Sequence, residues 1–61
     1  MHVLLSNNKM LNLYITEDVQ QGFHDKKIVV IYLTNGTKLI ENFKTEAEAE
    51  QEVERIRSAM Q

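Results

Sequence analysis

An α+β fold is predicted for this chain: an antiparallel sheet of about four strands, made from two hairpins, with one C-terminal amphipathic helix packed on one face in a ββββα order. Three observations predict it. A β-branched run, Lys27 to Leu33, leads into Asn35-Gly36, a strong short-range signal for a tight hairpin. A polar break, Ser6-Asn7-Asn8-Lys9, separates the short apolar runs His2–Leu5 and Met10–Ile15. Downstream, Ala49, Val53, Ile56 and Met60 recur at i, i+4, i+7 and i+11, the spacing of one helix face.

Taken in order, the first hairpin turns through Ser6–Lys9, because asparagine tolerates the positive φ that tight turns require. Thr16 to Lys26 shows no sustained periodicity. It reads as a connection, with one helical turn opened by Thr16 and stopped near Gly22.

The second hairpin has the most explicit register. With Asn35 and Gly36 as a two-residue loop, Thr34 faces Thr37, Tyr32 faces Leu39, Val30 faces Glu41 and Ile28 faces Phe43 on one side. The other side pairs Leu33 with Lys38, Ile31 with Ile40, Val29 with Asn42 and Lys27 with Lys44.

Thr45 is the expected helix N-cap, with Glu48 three residues on to complete a capping box. The helix is expected to run to about Met60 and to lie on the Ile28, Val30, Tyr32, Leu39 and Phe43 side. Its acidic first turns and late Arg55 and Arg57 both suit the helix dipole.

That assignment leaves Val29, Ile31, Leu33 and Ile40 uncovered, joined by residues such as Val3, Leu5 or Tyr14 from the first hairpin. An apolar patch of that extent is more than a lone monomer normally exposes, and homodimerisation through this face is the expected cover. At 61 residues the chain is a single small domain, 1–61, with a core near the limit of independent stability, so burial between copies would matter.

There is no cysteine, which excludes disulfides, thiolate zinc sites and a cysteine nucleophile, and makes a cytoplasmic setting the expectation. The longest apolar run, Ile28–Leu33, is far short of a membrane span, and no signal-peptide pattern is present. Charge is unevenly placed. Residues 1–40 carry four lysines against three acids, whereas residues 41–61 carry six glutamates against Lys44, Arg55 and Arg57.

Recognisable chemistry is missing. Glu17, Asp18, His24 and Asp25 are metal-compatible in type but match no ligand spacing, and a solvated loop is the expected reading. No Ser, Thr or His is placed like a nucleophile beside its base, and the two glycines, Gly22 and Gly36, are too far apart for a phosphate loop. No enzyme activity, cofactor, metal or small-molecule substrate is expected.

The expected function is therefore that of a small non-enzymatic interaction or accessory protein, working as a homodimer and binding another protein. Small acidic accessory proteins of this composition are common in bacteria and their phages. Two alternatives carry specific residues. Lys27, Lys38 and Lys44 on one sheet face would suit a nucleic-acid-binding regulator, although overall acidity opposes it. Glu46, Glu48, Glu50, Glu52 and Glu54 would suit an acidic-helix inhibitor of a basic partner, although i, i+2 spacing spreads them around the helix instead of along one edge.

Overall fold

The computed structural model describes residues 1–61 and is α+β, with five strands in two antiparallel sheets and one C-terminal helix. Strands β1 (His2–Leu4) and β2 (Met10–Asn12) form a two-stranded hairpin. A 3-10 turn, Leu13–Ile15, leads into β3 (Thr16–Gln21), which pairs with β4 (Ile28–Leu33) and through it with β5 (Lys38–Asn42). Helix α1 runs from Glu46 to Met60. The expected single sheet of about four strands is thus corrected to sheets of two and three.

The extra strand is β3, where a connection with a helical turn was expected. A bulge at Glu17 explains why it was hidden: Thr16 pairs with Leu33 but Asp18 pairs with Tyr32, so one residue has no counterpart. The bulge places buried Thr16 and Val19 three apart, a helix-like spacing, and conceals the alternation of a strand. Gly22 ends this strand where a side chain has no room, since a Cβ there would lie 2.5 Å from both the Asp25 carbonyl oxygen and Ile28 Cγ1.

The second hairpin forms in a different register from the one expected. Leu33 and Thr37 are the last bonded pair, and Gly36 N–H donates to the Leu33 carbonyl at 3.1 Å, so Thr34-Asn35-Gly36 is a three-residue loop with Gly36 at φ 87°. Tyr32 therefore faces Lys38, Ile31 faces Leu39, Val30 faces Ile40 and Val29 faces Glu41. A slip of one residue moves every β5 side chain to the opposite face.

The helix consequently covers the face that had been expected to stay open. Val19, Val29 and Ile31 are fully buried beneath Ala49, Val53 and Ile56, with Leu33 and Phe43 packed at the margin. Val29 and Ile31 are thus core residues and cannot belong to a self-association surface; of the four residues expected there, Ile40 alone is widely exposed. The physical reason lies in β3. Its outward side chains, Asp18 and Gln20, make the Ile28, Val30 and Tyr32 face the more polar one, so the helix buries more apolar surface on the other.

The first hairpin adds Leu5 and Leu11 to the same core. Both hairpins turn in the same way. In each, a leucine N–H bonds the carbonyl four residues on (Leu5 to Lys9, Leu33 to Thr37), and the residue three on bonds back to the leucine carbonyl. That residue has positive φ in both cases, Asn8 at 68° and Gly36 at 87°, and the preceding asparagine side chain, Asn7 or Asn35, accepts the next N–H but one.

The helix behaves as expected. Glu48 N–H donates to Thr45 Oγ1 at 3.2 Å, and the Thr45 hydroxyl in turn donates to Glu48 Oε1 at 3.1 Å. Ala49, Val53 and Ile56 are buried and Met60 is half-buried. No helix is long and apolar enough to cross a membrane.

Candidate functional site

Two features of the molecule are unexplained by packing alone: a buried pair of carboxyl groups under the first hairpin loop, and an open strand edge at β5. Each follows from the corrected register.

The one-residue slip brings Glu41 onto the helix-facing side of β5, opposite Val29, where it is 4% exposed. Glu52 meets it from α1 and is 3% exposed. Of the five helix glutamates, Glu52 alone is turned inward, and a signal for it existed: Ala49, Glu52, Val53 and Ile56 follow i, i+3, i+4, i+7, with a glutamate in an apolar slot. The acids therefore do not form one exposed set.

Glu52 is well partnered. Its Oε2 accepts the Ser6 backbone N–H at 2.9 Å, and its Oε1 accepts Arg55 Nε at 3.1 Å, so one carboxylate ties the first hairpin loop to the helix. Neither oxygen of Glu41 has a hydrogen-bond partner. Burial first, and then the neighbouring Glu52 carboxyl, push Glu41 up to about 7, against the weaker opposing pull of Arg55 and the Asn7 backbone. Burial alone would also raise Glu52, but the Ser6 N–H, Arg55 and Glu41 outweigh it and hold Glu52 below its ordinary value. Below about pH 7 the pair therefore holds one carboxylate, on Glu52, and one carboxyl that has kept its proton, on Glu41.

Beside this pair lies a cleft of about 360 Å³ lined by Ser6, Asn7, Glu41, Asn42, Phe43, Lys44 and Glu48. A smaller groove of about 260 Å³ lies at the end of α1, between Met1, Leu13, Tyr14 and Met60. Neither brings a nucleophile together with a base.

The other predicted residues are dispersed. Asp18 Oδ1 accepts the Val19 N–H and Asp25 Oδ1 accepts the Lys27 N–H, while His24 stands edge-on to Phe23. Glu17, Asp18, His24 and Asp25 do not assemble, and no group of three or more His, Asp or Glu able to hold a metal ion is present. Two of the three lysines also separate. Lys38 lies over the Tyr32 ring at 5.6 Å on the outer face, whereas Lys27 is level with Phe43 on the helix side of the sheet.

The two edges of the three-stranded sheet differ in kind. Antiparallel pairing alternates bonded and non-bonded residue pairs, so the bonds at Leu33–Thr37 and Lys27–Phe43 assign the odd residues of β5 to β4. The backbone groups of Lys38, Ile40 and Asn42 then point outward, and no hydrogen bond is made to them within the chain. Along β3 the bond from Gly22 N–H to the Ile28 carbonyl gives the even residues to β4 and leaves Val19 pointing outward.

That edge is capped from within at Val19. Asp18 Oδ1 accepts the Val19 N–H at 2.8 Å, and Arg57 Nε donates to the Val19 carbonyl at 3.1 Å from the helix. Arg57 reaches the strand and not Glu54, three residues before it, whereas Arg55 pairs with Glu52 three residues before it. Edge β5 has no such closure, and Ile40 stands on it 57% exposed.

No family model, no curated protein and no solved structure matches the chain.

Proposed function

We propose that this chain is a small non-enzymatic interaction protein that works as a homodimer, assembled on the side of its sheet that the helix and first hairpin leave open. The observation that carries the reading is the asymmetry of the two sheet edges: β3 is closed at Val19 by Asp18 and Arg57, and β5 is open along Lys38, Ile40 and Asn42.

An unpaired strand edge with an exposed isoleucine at its centre is a surface that pairs with backbone, and backbone pairing requires no chemistry from side chains. The residues fit that role. Lys38 is the one charged side chain on the outward set of β5, held over Tyr32, and Gln20 steadies the same ring through a 3.0 Å bond to the Tyr32 hydroxyl. Self-association also suits a chain of 61 residues whose core has eight buried apolar side chains, because a second copy adds burial that the monomer lacks.

Light scattering at two concentrations spanning the micromolar range tests the reading. The expected mass is twice 7.1 kDa, with dissociation on dilution. A mass of 7.1 kDa at every concentration would refute it. Retention on heparin that weakens steeply with salt would favour the nucleic-acid alternative, which the separation of Lys27 from Lys38 does not support.

A further inference from the structure

Resting on the reading that the chain self-associates, we infer that two copies join edge to edge through β5, antiparallel about a two-fold axis at Ile40, into one continuous six-stranded sheet. The register is fixed by elimination. Outward backbone groups belong to even residues, so bonded pairs across the edge must join even residues to even residues.

Five two-fold registers are within reach, and an axis at Asn42 carries Ile40 past the strand end, opposite Lys44, and leaves Lys38 with no strand residue across from it. An axis at Lys38 sets two lysine side chains opposite each other, and an axis at Glu41 sets Lys38 of each copy opposite Lys44 of the other; both place like charges across the ladder. An axis at Leu39 bonds Lys38 to Ile40 of the second copy but carries Asn42 past the strand end, opposite Gly36 of the loop. An axis at Ile40 pairs Ile40 with its own copy and Lys38 with Asn42, using every outward residue of β5 without a charge conflict.

Side chains agree with the backbone. The exposed Ile40 pair would meet on the outer face, burying the widest apolar exposure on this strand, and each Lys38 ammonium would lie beside an Asn42 amide oxygen. The interface is isologous, one patch meeting itself, as a two-fold dimer requires. The second edge offers a shorter ladder, because the Val19 N–H and carbonyl at its middle are already engaged.

Two kinds of variant test the register. Ile40→Pro removes an N–H that has no partner in the monomer, and proline is tolerated on an edge strand, so the expected result is a folded chain of half the parent's mass. Because the chain has no cysteine, a single introduced one reports on its own. Bonded antiparallel partners lie about 5.5 Å apart at Cα, within the span of a disulfide, so Ile40→Cys should cross-link to its copy in high yield under mild oxidation.

Lys38→Cys alone should not, since two Lys38 positions would be about 13 Å apart along the ladder, but Lys38→Cys mixed with Asn42→Cys should give the mixed dimer. Three results overturn the register: a dimer that survives Ile40→Pro, equal cross-linking at positions 38 and 40, or a dimer broken by Val30→Lys on the outer face but not by Ile40→Pro. All three leave self-association itself standing. A monomeric parent overturns both.

Discussion

The two hairpin loops have one backbone geometry and opposite fates. Leu5-Ser6-Asn7-Asn8-Lys9 and Leu33-Thr34-Asn35-Gly36-Thr37 share the same pair of backbone bonds, the same asparagine cap and the same positive φ at the fourth position. The first lies over two buried carboxyl groups and donates Ser6 N–H to one of them; the second projects into solvent with nothing near Gly36. Turn shape is thus a local property that either sequence satisfies, whereas the stability a loop contributes depends on what it covers.

The largest expected effect breaks the first loop's anchor. Glu52→Ala removes the charged acceptor of the Ser6 N–H and of Arg55 and should cost about 2–3 kcal/mol. Urea unfolding gives the cost, and amide exchange should speed up at Ser6 while Gly36 is unchanged.

Next comes proton linkage at Glu41. Its pKa is raised in the folded state to about 7 from the ordinary 4.5, so between those values the folded chain holds a proton that the unfolded chain has released. The associated stability is fully present below about pH 4.5 and is lost as pH rises through 7. Glu52 acts in the opposite sense, its contribution fading as pH falls below the ordinary carboxylate range. Glu41→Gln keeps the shape without the proton and should flatten the decline between pH 5 and 8, gaining roughly 1–3 kcal/mol at pH 8 in urea midpoints. A parent whose stability rises across that interval would contradict the assignment.

Two smaller changes compare the fourth loop positions directly. Gly36→Ala meets no atom within 4 Å, so its cost is backbone strain alone, about 1 kcal/mol in thermal unfolding. Asn8→Gly relieves strain at φ 68° but loosens the unfolded chain, and the two should cancel to within about 0.5 kcal/mol.

Much of this architecture was legible in local residue chemistry. The Thr45 cap, the Ala49–Met60 stripe and the Asn8 turn are all set by neighbours in sequence. What was not legible depends on a single residue's offset. Asn35-Gly36 is compatible with a loop of two residues or of three, and local propensity does not choose between them, yet the choice decides whether Glu41 faces solvent or the core. The Glu17 bulge disguised β3 in the same manner, and without β3 the two faces could not be compared for polarity. Of the four residues expected on the self-association surface, Val29 and Ile31 went to the core, Leu33 packs at its margin, and Ile40 remained outside.

Arg57 gives the sheet a direction. A ribbon with two open borders can add copies at both and has no natural length, whereas a ribbon sealed on one side has a single place to add and is finished after one addition. In the assembly proposed above, one guanidinium on the far side of the molecule, by holding the Val19 carbonyl, would set the stoichiometry and separate a pair from a fibre.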